Sequence, residues 1–343
     1  VALLRASSAD EYGNLSFEDE PITSSALAMA LAVKACGGTV IAQVRKIVPR
    51  QARPVHAVRV PGELVDRVVV APQAMMTTEV VYDDSYLGGQ LFPGGCSVVL
   101  PAGADKIIAR RAACEIRPGV PSIFGFGASS DIPSVMMEDG AFDGDGLLRH
   151  RFTTEHGPFG GIVMSGWQFS ANKYPEALLD GPAQFDFING GNCKVAALAF
   201  AQFDENGNVN VSRFGAANPG PGGFIDIAYN AETLIFTGTF TTGGLEVAYE
   251  GGELRIVREG SVRKFARHVQ EITYPVRLNV ATRGQRAMLI TERAVFAIEP
   301  DGLVLTEIAP GIDLQSQVLD LMDYAPVRIA NPLPLMNAAV FKS

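Results

Sequence analysis

The octapeptide Ala9-Asp10-Glu11-Tyr12-Gly13-Asn14-Leu15-Ser16 has a near copy at Phe203-Asp204-Glu205-Asn206-Gly207-Asn208-Val209-Asn210. In each, Asp-Glu-x-Gly-Asn leads into alternating apolar and polar residues. An aspartate that opens a turn, a Gly-Asn pair suited to positive φ and a short strand make a hairpin. Asp10 and Asp204 are 194 positions apart, and Thr39-Val40-Ile41 falls on Thr233-Leu234-Ile235 at the same offset. A single turn motif could belong to two unrelated hairpins. A second match in the same register reads as a duplication.

Worked outward, the duplication divides the chain. Residues 1–82 form the end of a first domain. Residues 83–102, with Leu87-Gly88-Gly89 and Phe92-Pro93-Gly94-Gly95, form a linker, and residues 103–343 form a second, more complete domain. Val1 to Ala6 reads as a buried strand with no methionine ahead of it. About a hundred residues, within the usual domain size, are therefore expected before Val1, with an unpaired edge in the first sheet. Helices are expected over 24–35, 104–116 and 132–138, the last capped by Asp131 with Pro133 in its first turn. Strands are expected over 39–44, 64–70, 121–126, 195–201, 234–236, 288–290 and 294–298. The alternation predicts two similar three-layer α/β domains with mainly parallel sheets, the first one incomplete. Ligands of such sheets bind beyond the carboxyl ends of the strands.

Composition removes several classes of function. The chain has 28 Lys and Arg against 37 Asp and Glu, a net charge of −9, and no basic block, so no nucleic-acid partner is expected. No apolar run approaches the roughly 20 residues that span a bilayer, and no signal-peptide pattern is present, so a cytoplasmic enzyme is expected. Cys36, Cys96, Cys114 and Cys193 form no close pair and read as buried thiols of a reducing compartment. His56, His150, His156 and His268 show no metal-binding spacing, so no metal is expected. No serine-nucleophile elbow or P-loop occurs.

Two segments can carry chemistry. Gly125-x-Gly127 lies between a strand and a helix, but Ser130 stands where a dinucleotide fingerprint needs glycine. A backbone cradle for an anionic group and a plain tight turn both fit it. The other is Thr153-Thr154-Glu155-His156-Gly157-Pro158-Phe159-Gly160-Gly161. One acidic residue follows a strand and precedes a glycine-rich loop that would let backbone approach a ligand. By pattern alone Glu155 could equally be a solvated surface residue.

The stretch Glu155-His156-Gly157-Pro158-Phe159-Gly160-Gly161 resembles the glutamate motif of family I coenzyme A transferases, the single-chain acetate, propionate and 3-oxoacid group. Asp186-Phe187-Ile188-Asn189-Gly190-Gly191-Asn192 resembles that family's Gly-Gly loop. The segments 201–210, 236–244, 291–296 and 305–313 resemble later blocks, and Arg5 to Asn14 with Val60-Pro61-Gly62 resemble the end of its first domain. The glycine-rich opening of that domain is lacking, and His156 stands where a smaller residue is common.

The resemblance implies that Glu155 attacks an acyl-CoA and then carries CoA as a glutamyl thioester. It implies an oxyanion hole at Gly190 and Gly191, and CoA contacts at Gly125, Gly127, Gly243 and Gly244. Arg263, Lys264 and Arg267 are candidate phosphate contacts or a solvated face. CoA would be a substrate with no tightly bound cofactor, the partners acyl-CoA and short carboxylic acids, and the assembly a homo-oligomer. An acyl-CoA hydrolase using the same glutamate, and a non-catalytic acyl-CoA-binding relative, are the alternatives.

Overall fold

The computed structural model describes residues 1–72, 82–95 and 99–342. The first unit contains β1 (Ala2–Asp10), β2 (Leu15–Ser16), α1 (Ala26–Ala35), β3 (Val40–Val48), β4 (Val58–Val60) and β5 (Arg67–Val70). They form one sheet in the order β4-β2-β1-β3-β5, with β1, β3 and β5 parallel. Alternate residues Ala2, Leu4 and Ala6 pack with Val40, Ala42 and Val44 into a core that takes Ala26 and Ala30 from α1. On the opposite face Leu3 is 75% exposed, so the described helix covers one side of this sheet.

The second unit opens with α2 (Ala104–Ala113), β6 (Pro121–Phe124), α3 (Ala128–Glu138) and β7 (Arg151–Thr153). Short strands β8 (Pro158–Phe159), β9 (Ile162–Val163), β10 (Asn172–Lys173) and β11 (Ala177–Leu178) follow, then α4 (Gly181–Asn189). Next come β12 (Val195–Ala199), β13 (Gln202–Asp204), β14 (Asn208–Asn210), α5 (Phe224–Asn230) and β15 (Thr233–Thr237). Ten strands form one sheet, in which β7-β6-β12-β15 and the later strand Arg286–Ile290 are all parallel. Phe124, Ala197, Ile235 and Met288 face α2 and α3. Their neighbours Ile123, Ala196, Leu234 and Ala287 face α4, α5 and the helix Val276–Arg283. Period-2 alternation with both faces apolar is what a sheet covered on two sides requires. This is the expected α/β architecture with mainly parallel pairing.

The duplication is visible in the hydrogen bonds. Tyr12 and Asn14 N–H groups donate to Asp10 Oδ1 at 2.9 and 3.1 Å, and Asn14 Nδ2 donates to Oδ2 at 2.9 Å. Asn206 and Asn208 repeat this on Asp204 at 3.0, 2.9 and 3.1 Å. Gly13 and Gly207 both have positive φ, +83° and +76°. Ala9 pairs with Leu15 as Phe203 pairs with Val209, and Ala2 pairs with Val40 as Ala196 pairs with Leu234. Every one of these equivalences holds the offset of 194. The copies differ at one point: β1 runs unbroken, whereas its counterpart breaks at Phe200-Ala201 into β12 and β13, which join different sheets.

Three local expectations need correction. Helix α3 begins at Ala128, not Ile132, with Gly127 as its cap and Pro133 inside it. Asp131 therefore sits in the first turn instead of capping it, and the Ser129 carbonyl has no proline N–H to accept from. Helix α1 begins at Ala26, leaving Ser24 outside with φ +49°. Of the cysteines, Cys193 is buried, whereas Cys36 and Cys114 are exposed; Cys96 lies outside the described residues. The start of the expected linker packs on the second unit: Asp83 pairs with Lys173 at 2.9 Å and Tyr174 N–H donates to Ser85 O at 2.6 Å. No described helix is long and apolar enough to cross a membrane.

Candidate active site

Glu155 stands just past the carboxyl end of β7, where parallel sheets bind ligands. The backbone leading to it is fixed from below. Gln184 of α4 is fully buried, and its Nε2 donates to Thr153 Oγ1 at 3.1 Å and to Thr154 O at 2.7 Å. Thr154 Oγ1 donates to Ser170 O at 3.0 Å. The backbone that carries the carboxylate is thus held in place before any ligand arrives.

The glycines after Glu155 serve the chain's own crossings. Gly157 has φ +101° and a Cβ there would overlap the Leu179 carbonyl; one at Gly161 would overlap Lys173 O. These close approaches are of backbone to backbone, where β8 pairs with β11 and β9 with β10.

The Glu155 side chain faces a cleft of about 290 Å³. Helix α4 contributes Gly181 and Phe185, and the entry to α5 contributes Gly222 and Gly223. Ser24 and Ser25 come from the first unit, and Gly181 N–H donates to Ser24 O at 2.7 Å. The site thus lies where the two units meet. Gly223 touches the carboxylate most closely: a Cβ there would overlap Glu155 Oε2 and stand 2.8 Å from Phe185 Cζ. Gly223 is buried, and its N–H has no acceptor among the described residues. A buried amide without a partner is rare enough to point to an absent acceptor. The half-buried Glu155 carboxylate thus lies against a turn that carries a backbone N–H unpaired among the described residues.

Residues 1–71 match the family model described as coenzyme A transferase. Over 99% of its length the chain is 41% identical to the acetate CoA-transferase YdiF of Escherichia coli K12 and spans 63% of it. It is 38% identical to the caffeate CoA-transferase of Acetobacterium woodii over 99% of the chain and 65% of that relative. Over nearly its whole length the chain is thus similar to coenzyme A transferases. Its fold also superposes on a crystal structure of the acyl-CoA transferase YdiF from Escherichia coli O157:H7, a thioester complex with CoA. The TM-score is 0.88 at 40% identity, over 99% of this chain and 63% of that one. The chain therefore spans less than two thirds of these relatives.

The expected site residues do not all converge. Gly190 and Gly191 sit past the far end of α4, whose near end meets Glu155, roughly 14 Å away along the axis at 1.5 Å per residue. Their N–H groups already donate to Asp186 O and Ile188 O, both at 2.9 Å. These N–H groups are thus engaged at the helix end, and Gly223 is the glycine that lies against the Glu155 carboxylate. Gly125 packs a Cα against Leu198, where a Cβ would stand 3.1 Å from Cδ2, and its N–H donates to Ala197 O at 2.8 Å. Gly127 turns the chain into α3 at φ +96°. This loop reaches the glutamate through aromatic edges: Phe126 meets Phe169 at 5.6 Å, and Phe169 meets His156 at 6.5 Å between ring centroids. Gly243 and Gly244 lie exposed in a loop beyond β15 that Arg258 Nε ties down through Gly244 O at 2.8 Å.

Sequence reasoning missed Ser24, Ser25, Phe185 and Gly223. A signal for one of them exists. Pro219-Gly220-Pro221-Gly222-Gly223 immediately precedes an apolar helix, and a glycine-proline run there marks a loop of unusual backbone.

Proposed function

We propose that Glu155 is the nucleophile of an enzyme that transfers CoA between carboxylic acids. The observation that carries this reading is the Glu155 carboxylate lying against Gly223, whose buried N–H lacks an acceptor. Exchange without ATP has to conserve the energy of the thioester, and a carboxylate does so because its anhydrides and thioesters are both activated. Glu155 attacks the acyl-CoA carbonyl, forming an acyl-glutamyl anhydride and releasing CoA thiolate. The thiolate attacks the glutamyl carbonyl, forming glutamyl-CoA and freeing the first acid as its carboxylate. A second carboxylate attacks glutamyl-CoA and the sequence reverses. Each attack passes through an oxyanion, and the Gly223 N–H is the donor at hand. No proton has to move in these steps, so no general base is needed. CoA is then a substrate, and relatives named for acetate and caffeate support carboxylic acids as its exchange partners.

The test is exchange of acetyl-CoA with propionate by the purified enzyme, with and without the acceptor acid. CoA transfer predicts propionyl-CoA with acceptor and little free CoA without it. Rapid release of free CoA in the absence of acceptor would make the enzyme a hydrolase. Gly223→Ala sharpens the assignment. Its methyl group overlaps the Glu155 carboxylate and pushes it aside by about an ångström, so exchange should fall about 100-fold. The φ of −80° suits alanine, so any fall in melting temperature reports the contact of the new methyl group with Phe185. Parent-like exchange by Gly223→Ala would remove Gly223 from the site.

A further inference from the structure

The sequence cluster Arg263, Lys264 and Arg267 divides in the structure. Arg263 Nη1 meets Asp323 Oδ1 at 3.3 Å and Arg267 Nε donates to Asp323 O at 3.4 Å, both among exposed groups. Lys264 turns inward and is 6% exposed. Its Nζ lies 4.0 Å from the centroid of the Phe200 ring. It also presses on Gly238, where a Cβ would stand 2.6 Å from it. Among the described residues no oxygen accepts a hydrogen bond from this ammonium and no carboxylate pairs with it. Glu292 and Asp105 act on it only at longer range, and Glu292 is already engaged by Arg293 Nε at 2.7 Å and Phe240 N–H at 2.8 Å. Burial pushes the Lys264 pKa down to about 8, against the pull of Glu292 and Asp105. The ammonium has three donors and no acceptor among the described residues, so an arriving oxygen ligand would supply a partner.

Its place in the fold says which ligand. Phe200 follows β12 and Gly238 follows β15, on the same carboxyl-end rim as Glu155. They lie two and three strands along from β7, about 10–14 Å at the usual strand spacing. That is within the span of an extended pantetheine arm, whose amide carbonyls and terminal phosphates are oxygen acceptors. The loop is held ready: Arg293 is bidentate on Glu259 at 2.7 and 3.0 Å, and Glu259 in turn meets Thr241 in the loop that follows Gly238. We propose that Lys264 binds an oxygen of the CoA part of the thioester, the distal pantetheine carbonyl or a phosphate, while the acyl carbon lies at Glu155. This rests on the CoA-transfer reading.

The experiment compares Lys264→Met with the parent enzyme on three acetyl thioesters: acetyl-CoA, S-acetylpantetheine without the nucleotide, and S-acetyl-N-acetylcysteamine with only the amide nearest sulfur. For acetyl-CoA the KM should rise about 10-fold to 100-fold with kcat nearly unchanged, as loss of a charged hydrogen bond in uniform binding requires. Loss of the effect with S-acetylpantetheine assigns the contact to phosphate. Its survival there but not with S-acetyl-N-acetylcysteamine assigns it to the distal amide. Gly238→Ala, which displaces the ammonium without removing it, should repeat the pattern and covers the case in which Lys264→Met does not fold. An unchanged KM for acetyl-CoA, or an equal rise with all three thioesters, overturns the proposal. A parent enzyme that exchanges none of them overturns the CoA-transfer reading as well.

Discussion

Glu155→Gln should abolish CoA exchange while acyl-CoA still binds, and Glu155→Asp should lose about 100-fold. The amide has no anionic oxygen to attack a thioester, so neither anhydride nor glutamyl-CoA can form. The aspartate keeps the charge but withdraws it by one methylene from a position fixed by Gln184 and Thr154 below and Gly223 beside it. Stability should hardly change, because the Glu155 carboxylate makes no ion pair or hydrogen bond to the described residues. Incubation of the parent enzyme with acetyl-CoA alone should leave CoA on this side chain. Borohydride reduction converts the thioester to an alcohol, and peptide mass spectrometry should find the change between Phe152 and Phe159. A modified residue elsewhere, or parent-like exchange by Glu155→Gln, would remove Glu155 as nucleophile.

The largest effect on stability should come from Arg293→Met. Arg293 and Glu292 are both 0% exposed, and the guanidinium bonds Glu292, Glu259 and the Gln317 carbonyl at once. Removing it leaves the Glu292 carboxylate buried with only the Phe240 N–H, at an expected cost of about 3–5 kcal/mol. The double variant Glu292→Gln with Arg293→Met should recover much of this, since the uncompensated charge, rather than the lost pair, is the main penalty. Urea unfolding of the parent and both variants measures it through the shift in midpoint. An additive double variant would mean that the network contributes through packing alone. Because the same network ties Glu259 and Thr241 together, the single variant should also raise the KM for acyl-CoA.

Much of the fold was legible because it rests on short-range chemistry. The Asp-Glu-x-Gly-Asn turn uses a side chain that bonds N–H groups two and four residues on, so the octapeptide carries its own geometry in both copies. The central strands Val195–Ala199 and Thr233–Thr237 carry unbroken apolar runs, Val195 to Ala199 and Leu234 to Phe236, which a sheet covered on both faces accommodates. Boundaries failed where a turn competed with helix propensity. Ser24 belongs to a left-handed bend, and Gly127 starts α3 a full turn before the proline that suggested its first turn.

By itself the sequence determined the duplicated α/β architecture and the strand that delivers Glu155 to a glycine-rich turn. Which backbone N–H groups stand beside Glu155 was decided only by the tertiary structure. Gly190-Gly191 and Gly222-Gly223 look alike as sequence, but helix α4 carries the first pair away and spends its N–H groups on the helix end, whereas the turn into α5 lays Gly223 against the carboxylate. Likewise Lys264 shares a basic cluster with Arg263 and Arg267, yet packing on Phe200 and Gly238 buries it alone. Hydrogen-bond satisfaction and burial depend on residues distant in sequence, and local pattern does not encode them.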